Sequence, residues 1–183
     1  MRRAYFIICL AIIMFLSCSS AQKEQDDKIS SINNFYKTVL VMKNDGIPKK
    51  KDIEKLSPFI STPFKNLLLE ARKAEDKYFQ ETKGEVPPLI EGSLFFSLFE
   101  GADKVILITE EKNTDQISYL VELEYRDRYG KKEKIRWQDR AFLVMENKRW
   151  VVNDLGLLGK WPFGGKGKLS DILKNVIKNE ADI

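Results

Sequence analysis

Residues 117–126 read Ile-Ser-Tyr-Leu-Val-Glu-Leu-Glu-Tyr-Arg, and their alternation decides the fold. Ile117, Tyr119, Val121, Leu123 and Tyr125 take every second position, with Ser118, Leu120, Glu122, Glu124 and Arg126 between them. Successive side chains of a strand point to opposite faces, so this period predicts a β-strand with one face buried. The turn residues Asp127-Arg128-Tyr129-Gly130 lead into a second alternating run, Ile135, Trp137, Asp139, Ala141, Leu143 and Met145. Glu146-Asn147-Lys148-Arg149 then separates a third run, Trp150, Val152 and Asp154. Lys104 to Thr109 is a shorter β-rich run ahead of all three. Short polar turns between such runs predict an antiparallel meander of three long strands with a fourth before it.

Upstream of residue 103 the period is that of helices. Ile32, Phe35, Tyr36, Val39 and Leu40 mark one helix face, ended by Asn44-Asp45-Gly46 and Pro48. Ile53, Leu56, Phe59 and Ile60 suggest a short second helix that Pro58 interrupts. Thr62 as N-cap and Pro63 as first helical residue open a third, with Phe64, Leu67, Leu68, Ala71 and Tyr78 on its apolar side. Gly84 and Pro87-Pro88 end it. Downstream of the strands, a glycine-rich stretch from Gly156 to Gly167 precedes a last amphipathic helix, capped by Ser170 and carrying Ile172, Leu173, Val176 and Ile177. The sum is an α+β domain over residues 31–183. Its N-terminal helices pack on one face of a curved antiparallel sheet, and a short C-terminal helix closes the chain.

The first residues carry a different signal. Met1-Arg2-Arg3 is positive and Ala4 to Leu16 is an unbroken apolar run. Such a run makes a helix of roughly 20 Å, short of a hydrocarbon core of roughly 30 Å, so it reads as a signal-peptide core rather than a span. The junction Phe15-Leu16-Ser17-Cys18 resembles the lipobox of bacterial lipoproteins. That resemblance implies a signal peptide over 1–17, cleavage before Cys18, and a diacylglyceryl group, with its palmitate-type chains, on the Cys18 sulfur. An ordinary secretory signal or short membrane anchor is the alternative. Ser19 stands where Asp commonly signals inner-membrane retention in enterobacteria, which by the same resemblance favours the periplasmic face of the outer membrane for a Gram-negative source. Residues 18–30 are then the lipidated cysteine and a polar, flexible tether.

Composition removes several chemistries. Histidine is absent and the two cysteines, Cys9 and Cys18, both precede the domain. Ser-His-Asp and Cys-His catalysis, a disulfide framework and a zinc–thiolate site are excluded on residue type. No cofactor and no metal is expected. The formal charge of +4 falls to +2 once Arg2 and Arg3 leave, too balanced for a dedicated nucleic-acid binder. Lys49-Lys50-Lys51 and the run from Arg126 to Lys134 read as solvated surface, with a weak attraction for anionic headgroups as the other reading.

The order of elements, together with Pro87 to Phe95, Ser97-Leu98-Phe99-Glu100-Gly101, Trp137-Gln138-Asp139 and Arg149 to Asp154, resembles bacterial envelope proteins of nuclear-transport-factor-two-like (cystatin-like) fold. The similarity spans about residues 30 to 175 and implies a cone-shaped domain. That superfamily holds isomerases, dehydratases and many binding domains, so the resemblance alone implies no activity.

Register arithmetic supplies the catalytic candidates. Pairing Arg126 with Lys132 places Tyr119 opposite Asp139 and Val121 opposite Trp137, while the next turn pairs Met145 with Trp150, Leu143 with Val152 and Ala141 with Asp154. Asp139 and Asp154 become diagonal neighbours beside Tyr119 on an apolar face. Crowding and burial raise a carboxyl pKa, so one Asp can serve as base with Tyr119 as hydrogen-bond donor. The structural alternative is a pair of acids at the sheet edge, solvated or bound to Arg72 or another basic residue. Phe95, Phe96 and Phe99 form either a lid on a ligand pocket or an apolar plug in the core. Trp161 and Phe163 belong either to a partner-contacting loop or to a connector packed on the sheet. The glycines and lysines that follow lack phosphate-loop spacing and order.

Three functional readings result. The first is a lipid-anchored envelope protein whose domain binds a protein or small ligand without catalysis. The second is an isomerase or hydratase using the Asp/Tyr pocket, and the third an immunity or inhibitor lipoprotein.

Overall fold

The computed structural model describes the backbone of residues 2–43, 45–85, 87–112, 115–127 and 133–181, with side chains from 22 to 178 within those ranges. Helix α1 runs Arg2–Met42, α2 Lys50–Leu56 and α3 Thr62–Glu81; strands β1 Lys104–Glu110, β2 Ser118–Arg126, β3 Lys134–Glu146, β4 Arg149–Leu157 and β5 Gly167–Lys168 follow, then α4 Leu169–Ala181. The five strands form one antiparallel sheet in chain order, a meander with no crossover. The α+β class, the helices-then-sheet order and the C-terminal helix all agree with the sequence patterns. The short β5 is an addition, made where Gly167, at φ 88°, lets the chain turn back onto Leu157.

One core joins every layer. Ile32, Phe35, Tyr36 and Val39 of α1 meet Ile53 and Leu56 of α2, Phe64 and Leu68 of α3, and Leu169 and Leu173 of α4 over the sheet residues Tyr119, Val121, Leu123, Ala141, Leu143, Val152 and Leu155. The other sheet face is tied by charge: Lys104 and Arg136 both contact Glu124, and Arg140 grips Glu111. Hydrogen bonds from Arg140 hold the Glu111 carboxyl below its ordinary range. This is the polar face that the charged positions of β2 and β3 predicted, with Glu124 itself buried beneath its two partners.

Several expectations are corrected. The polar stretch 22–30, expected in the flexible tether, is helical and continuous with the rest of α1. Its side chains pair along the helix, Gln22 with Asp26 at 3.0 Å and Lys28 with Glu24 at 2.9 Å. It also docks: Gln25 accepts from the Tyr119 hydroxyl, Lys28 lies over the Trp150 ring, and Ile29 packs on the core. Good helix formers with i,i+4 pairing extend a helix with no apolar period to announce it. The third helix is capped one residue earlier than expected, by Ser61, whose hydroxyl accepts from the Phe64 N–H. Thr62 instead donates both its N–H and its hydroxyl to Glu146 at the end of β3.

The strand register also differs. Arg126 pairs with Lys134, two residues beyond the expected partner, so Tyr119 lies opposite Ala141 and Val121 opposite Asp139. An even shift keeps every side chain on its face. The β3–β4 pairing matches at Met145 with Trp150 and Leu143 with Val152, but a bulge between Phe142 and Leu143 brings Asp154 opposite Phe142 and Leu155 opposite Ala141. That single extra residue sends Asp154 to the sheet face away from Asp139.

Candidate functional site

Three glycines with left-handed backbone frame a cleft between the end of α1 and the loop before β1. Gly46, Gly92 and Gly101 have φ of 68°, 73° and 80°, a region open to glycine at no steric cost. The Gly46 N–H donates to the Gly92 carbonyl at 2.7 Å, and the Ser93 N–H to the Phe99 carbonyl at 2.8 Å, which ties the end of α1 to the loop before β1. A Cβ on Gly92 would stand 2.5 Å from the Phe99 ring, so this ring lies directly on the backbone. The cleft beside it measures about 580 Å³. Val39, Leu40, Phe96, Phe99 and Tyr125 supply apolar walls, and Lys43, Asp45, Glu100 and Asp103 a charged rim. Such a preformed hollow suits a small amphipathic ligand.

Of the aromatic candidates, Phe95 and Phe96 are buried and pack edge-on against Phe35 and tilted against Tyr36, respectively, while Phe99 stays 40% exposed. The plug and the cleft wall are therefore the same segment, with Phe99 at its open end. Trp161 stacks edge-to-face on Trp137 at 5.4 Å beside another hollow of about 480 Å³, and Phe163 is 85% exposed. The Cys18 side chain lies outside the described residues.

The catalytic candidates do not assemble. Asp139 is fully buried, and its two oxygens accept four hydrogen bonds: Ser97 N–H at 2.9 Å, Ser97 hydroxyl at 2.6 Å, Trp137 Nε1–H at 3.0 Å and Leu158 N–H at 2.9 Å. The carboxylate is thus a staple joining the phenylalanine segment, β3 and the end of β4. Asp154 caps α4, accepting from the Ser170 N–H and hydroxyl at 3.0 and 2.6 Å. Tyr119 donates to Gln25 at 3.0 Å, and burial pushes its hydroxyl up to about 12. The expected triad is corrected: Tyr119 and Asp139 stay diagonal neighbours on one face but bind other partners, and the bulge turns Asp154 to the opposite face. The alternative partner, Arg72, is bound to Glu75 and Asp76 on its own helix.

Sequence reasoning missed Val39, Leu40 and Tyr125 as cleft walls because each also fits a core pattern. It missed Ser97 because a hydroxyl in an apolar run carries no periodic signal; its isolation among phenylalanines was the available clue. Burial raises the Glu75 carboxyl against the opposing pull of Arg72, and burial likewise raises the Tyr36 hydroxyl far above its usual range. Among the described residues no cluster of three or more His, Cys, Asp or Glu is placed to hold a metal ion. No described helix is long and apolar enough to cross a membrane.

No protein-family model matches the chain, and no curated protein does. Among solved structures it is similar to a protein of unknown function from Bacteroides thetaiotaomicron VPI-5482, with 12% identity, a TM-score of 0.40, and coverage of 78% of this chain and 98% of that one. A likeness of that size carries no argument about function.

Proposed function

We propose that the chain is a bacterial-type lipoprotein precursor, cut before Cys18 and anchored in the cell envelope, whose domain binds a small amphipathic ligand in the Phe99 cleft. The observation that carries the binding reading is the preformed cleft itself, with Phe99 40% exposed at its open end and its frame held by left-handed glycines. The engagement of Asp139, Asp154 and Tyr119 in structural hydrogen bonds favours binding over the isomerase reading. Assignment to the cone-shaped, cystatin-like group belongs to the same proposal, supported by three helices followed by an antiparallel meander. The anchor is supported by the apolar run ending at Ser17-Cys18; two or more acyl chains hold a protein lastingly where one does not.

Two measurements test the halves separately. Labelled fatty acid should enter the wild type and be absent from Cys18→Ala; labelling that survives the substitution rejects the anchor. Native mass spectrometry of protein released from membranes should show added ligand mass that Phe99→Asp loses. Identical spectra for the two proteins reject the cleft as the binding site.

A further inference from the structure

We infer that the tip of the β3–β4 hairpin and the adjoining start of the domain on α1 form a contact face for the phospholipid bilayer that receives the Cys18 acyl chains. This rests on the lipid-anchor reading and adds an orientation to it. Because α1 is a continuous helix through this region, Gln25 stands only about 10 Å along the axis from Cys18. The Tyr119–Gln25 and Lys28–Trp150 contacts fix that stretch of helix to the sheet. The domain is held close to its anchor, and the surface beside Lys23 is the part nearest the membrane.

That surface has the chemistry of an interfacial face. A groove of about 530 Å³ runs between Lys23, Asp27 and Asn34 of α1 and Phe59, Met145 and Trp150. Met145 is 53% exposed beside the half-buried Trp150, and the two pair across the hairpin. Asn147 and Lys148, at φ 50° and 62°, make a tight turn that sets Lys148 and Arg149 at the rim. Lys23, Lys28, Lys148 and Arg149 stand there with Glu24, Asp27 and Glu146, the last bonded to Thr62 and facing Arg149, which leaves a small excess of positive charge. Exposed apolar side chains, an indole and a basic rim match an anionic headgroup layer. The Phe99 cleft adjoins Val39, Leu40 and Lys43 at the other end of α1, about 30 Å along the helix from Cys18, and so lies far from the anchored end.

The experiment uses the full lipidated chain in vesicles of phosphatidylethanolamine and phosphatidylglycerol that contain a nitroxide-labelled lipid. A fluorophore is placed at Met145→Cys or, as control, at Val41→Cys, which is 76% exposed near the cleft end of α1. Loss of emission at 145 and none at 41 is expected, and Lys148→Glu with Arg149→Glu should restore emission at 145. Fatty-acid incorporation is followed in the same samples. Incorporation with equal emission loss at the two sites, or greater loss at 41, overturns the orientation alone. Absence of incorporation overturns the anchor and the orientation with it.

Discussion

Removing the Asp139 carboxylate should destabilise the domain strongly, and the size can be worked from its four hydrogen bonds. In Asp139→Asn the amide oxygen can keep the two donors at Oδ2, Ser97 N–H and Trp137 Nε1–H. The amide nitrogen then replaces Oδ1, and the Ser97 hydroxyl rotates to accept from it, but Leu158 N–H loses its acceptor. One lost bond to a charged acceptor costs about 2 kcal/mol. Asp139→Ala strands Ser97 N–H and the indole N–H inside the core and frees the Leu158 amide. At about 1–3 kcal/mol for each stranded donor, the loss is about 4 kcal/mol or more, a large part of a typical total of about 5–15 kcal/mol. Urea unfolding of the mature chain measures both, with near-ultraviolet dichroism of the Trp137–Trp161 pair as local reporter. A change below about 1 kcal/mol for Asp139→Ala, the level of an ordinary surface substitution, refutes the staple.

Four further outcomes follow from the same geometry. Gly92→Ala places a Cβ against the Phe99 ring at φ 73°, so it should destabilise by about 1–3 kcal/mol and weaken ligand capture together, read by thermal melts and native mass spectrometry. Ser170→Ala leaves α4 with half its link to Asp154 and should cost about 1 kcal/mol, with helical content lost at the C-terminus in hydrogen exchange. The Tyr119 hydroxyl is raised from its ordinary 10 to about 12, first by burial and then by Glu110, so the fold favours its protonated form. Stability should therefore fall as pH rises from 10 towards 12, and fall less in Tyr119→Phe; parallel pH profiles for the two proteins contradict this. Glu146 is held low by its hydrogen bonds from Thr62, so its contribution is present above the ordinary carboxyl pKa and lost on acidification through the depressed one; Glu146→Gln should flatten the acid limb of the stability profile.

How much of this was legible in the chain differs between elements. The strands β2 and β3 announce themselves because one face meets core and the other water, which writes period two into the residue types. The first turns of α1 after Cys18 do not, since a helix stabilised by Gln22–Asp26 and Glu24–Lys28 pairs and two side-chain dockings looks like polar linker. Phe95, Phe96 and Phe99 were legible as one apolar segment, but burial of the first two and exposure of the third depend on the turn that Gly92 and Gly101 impose. The Asp/Tyr constellation was a register inference; one bulge sends Asp154 to the other face, and Asp139 and Tyr119, though still diagonal, bind Ser97, Trp137, Leu158 and Gln25 instead.

By itself the sequence determined the order of the helices α2, α3 and α4 and the strands β1 to β4, the absence of histidine and of any cysteine after Cys18, and the apolar run that precedes it. These are properties of residue type and local spacing, which side-chain chemistry and backbone period encode directly. Only the tertiary structure decided the partners of Asp139, supplied by Ser97 and Leu158 from distant parts of the chain, and the face on which Asp154 lies. It also decided that the end of α1 and the phenylalanine loop enclose a cleft. Hydrogen-bond partners and cavities arise where separate segments converge, and that convergence is set by the packing of the whole core rather than by the spacing within any one segment.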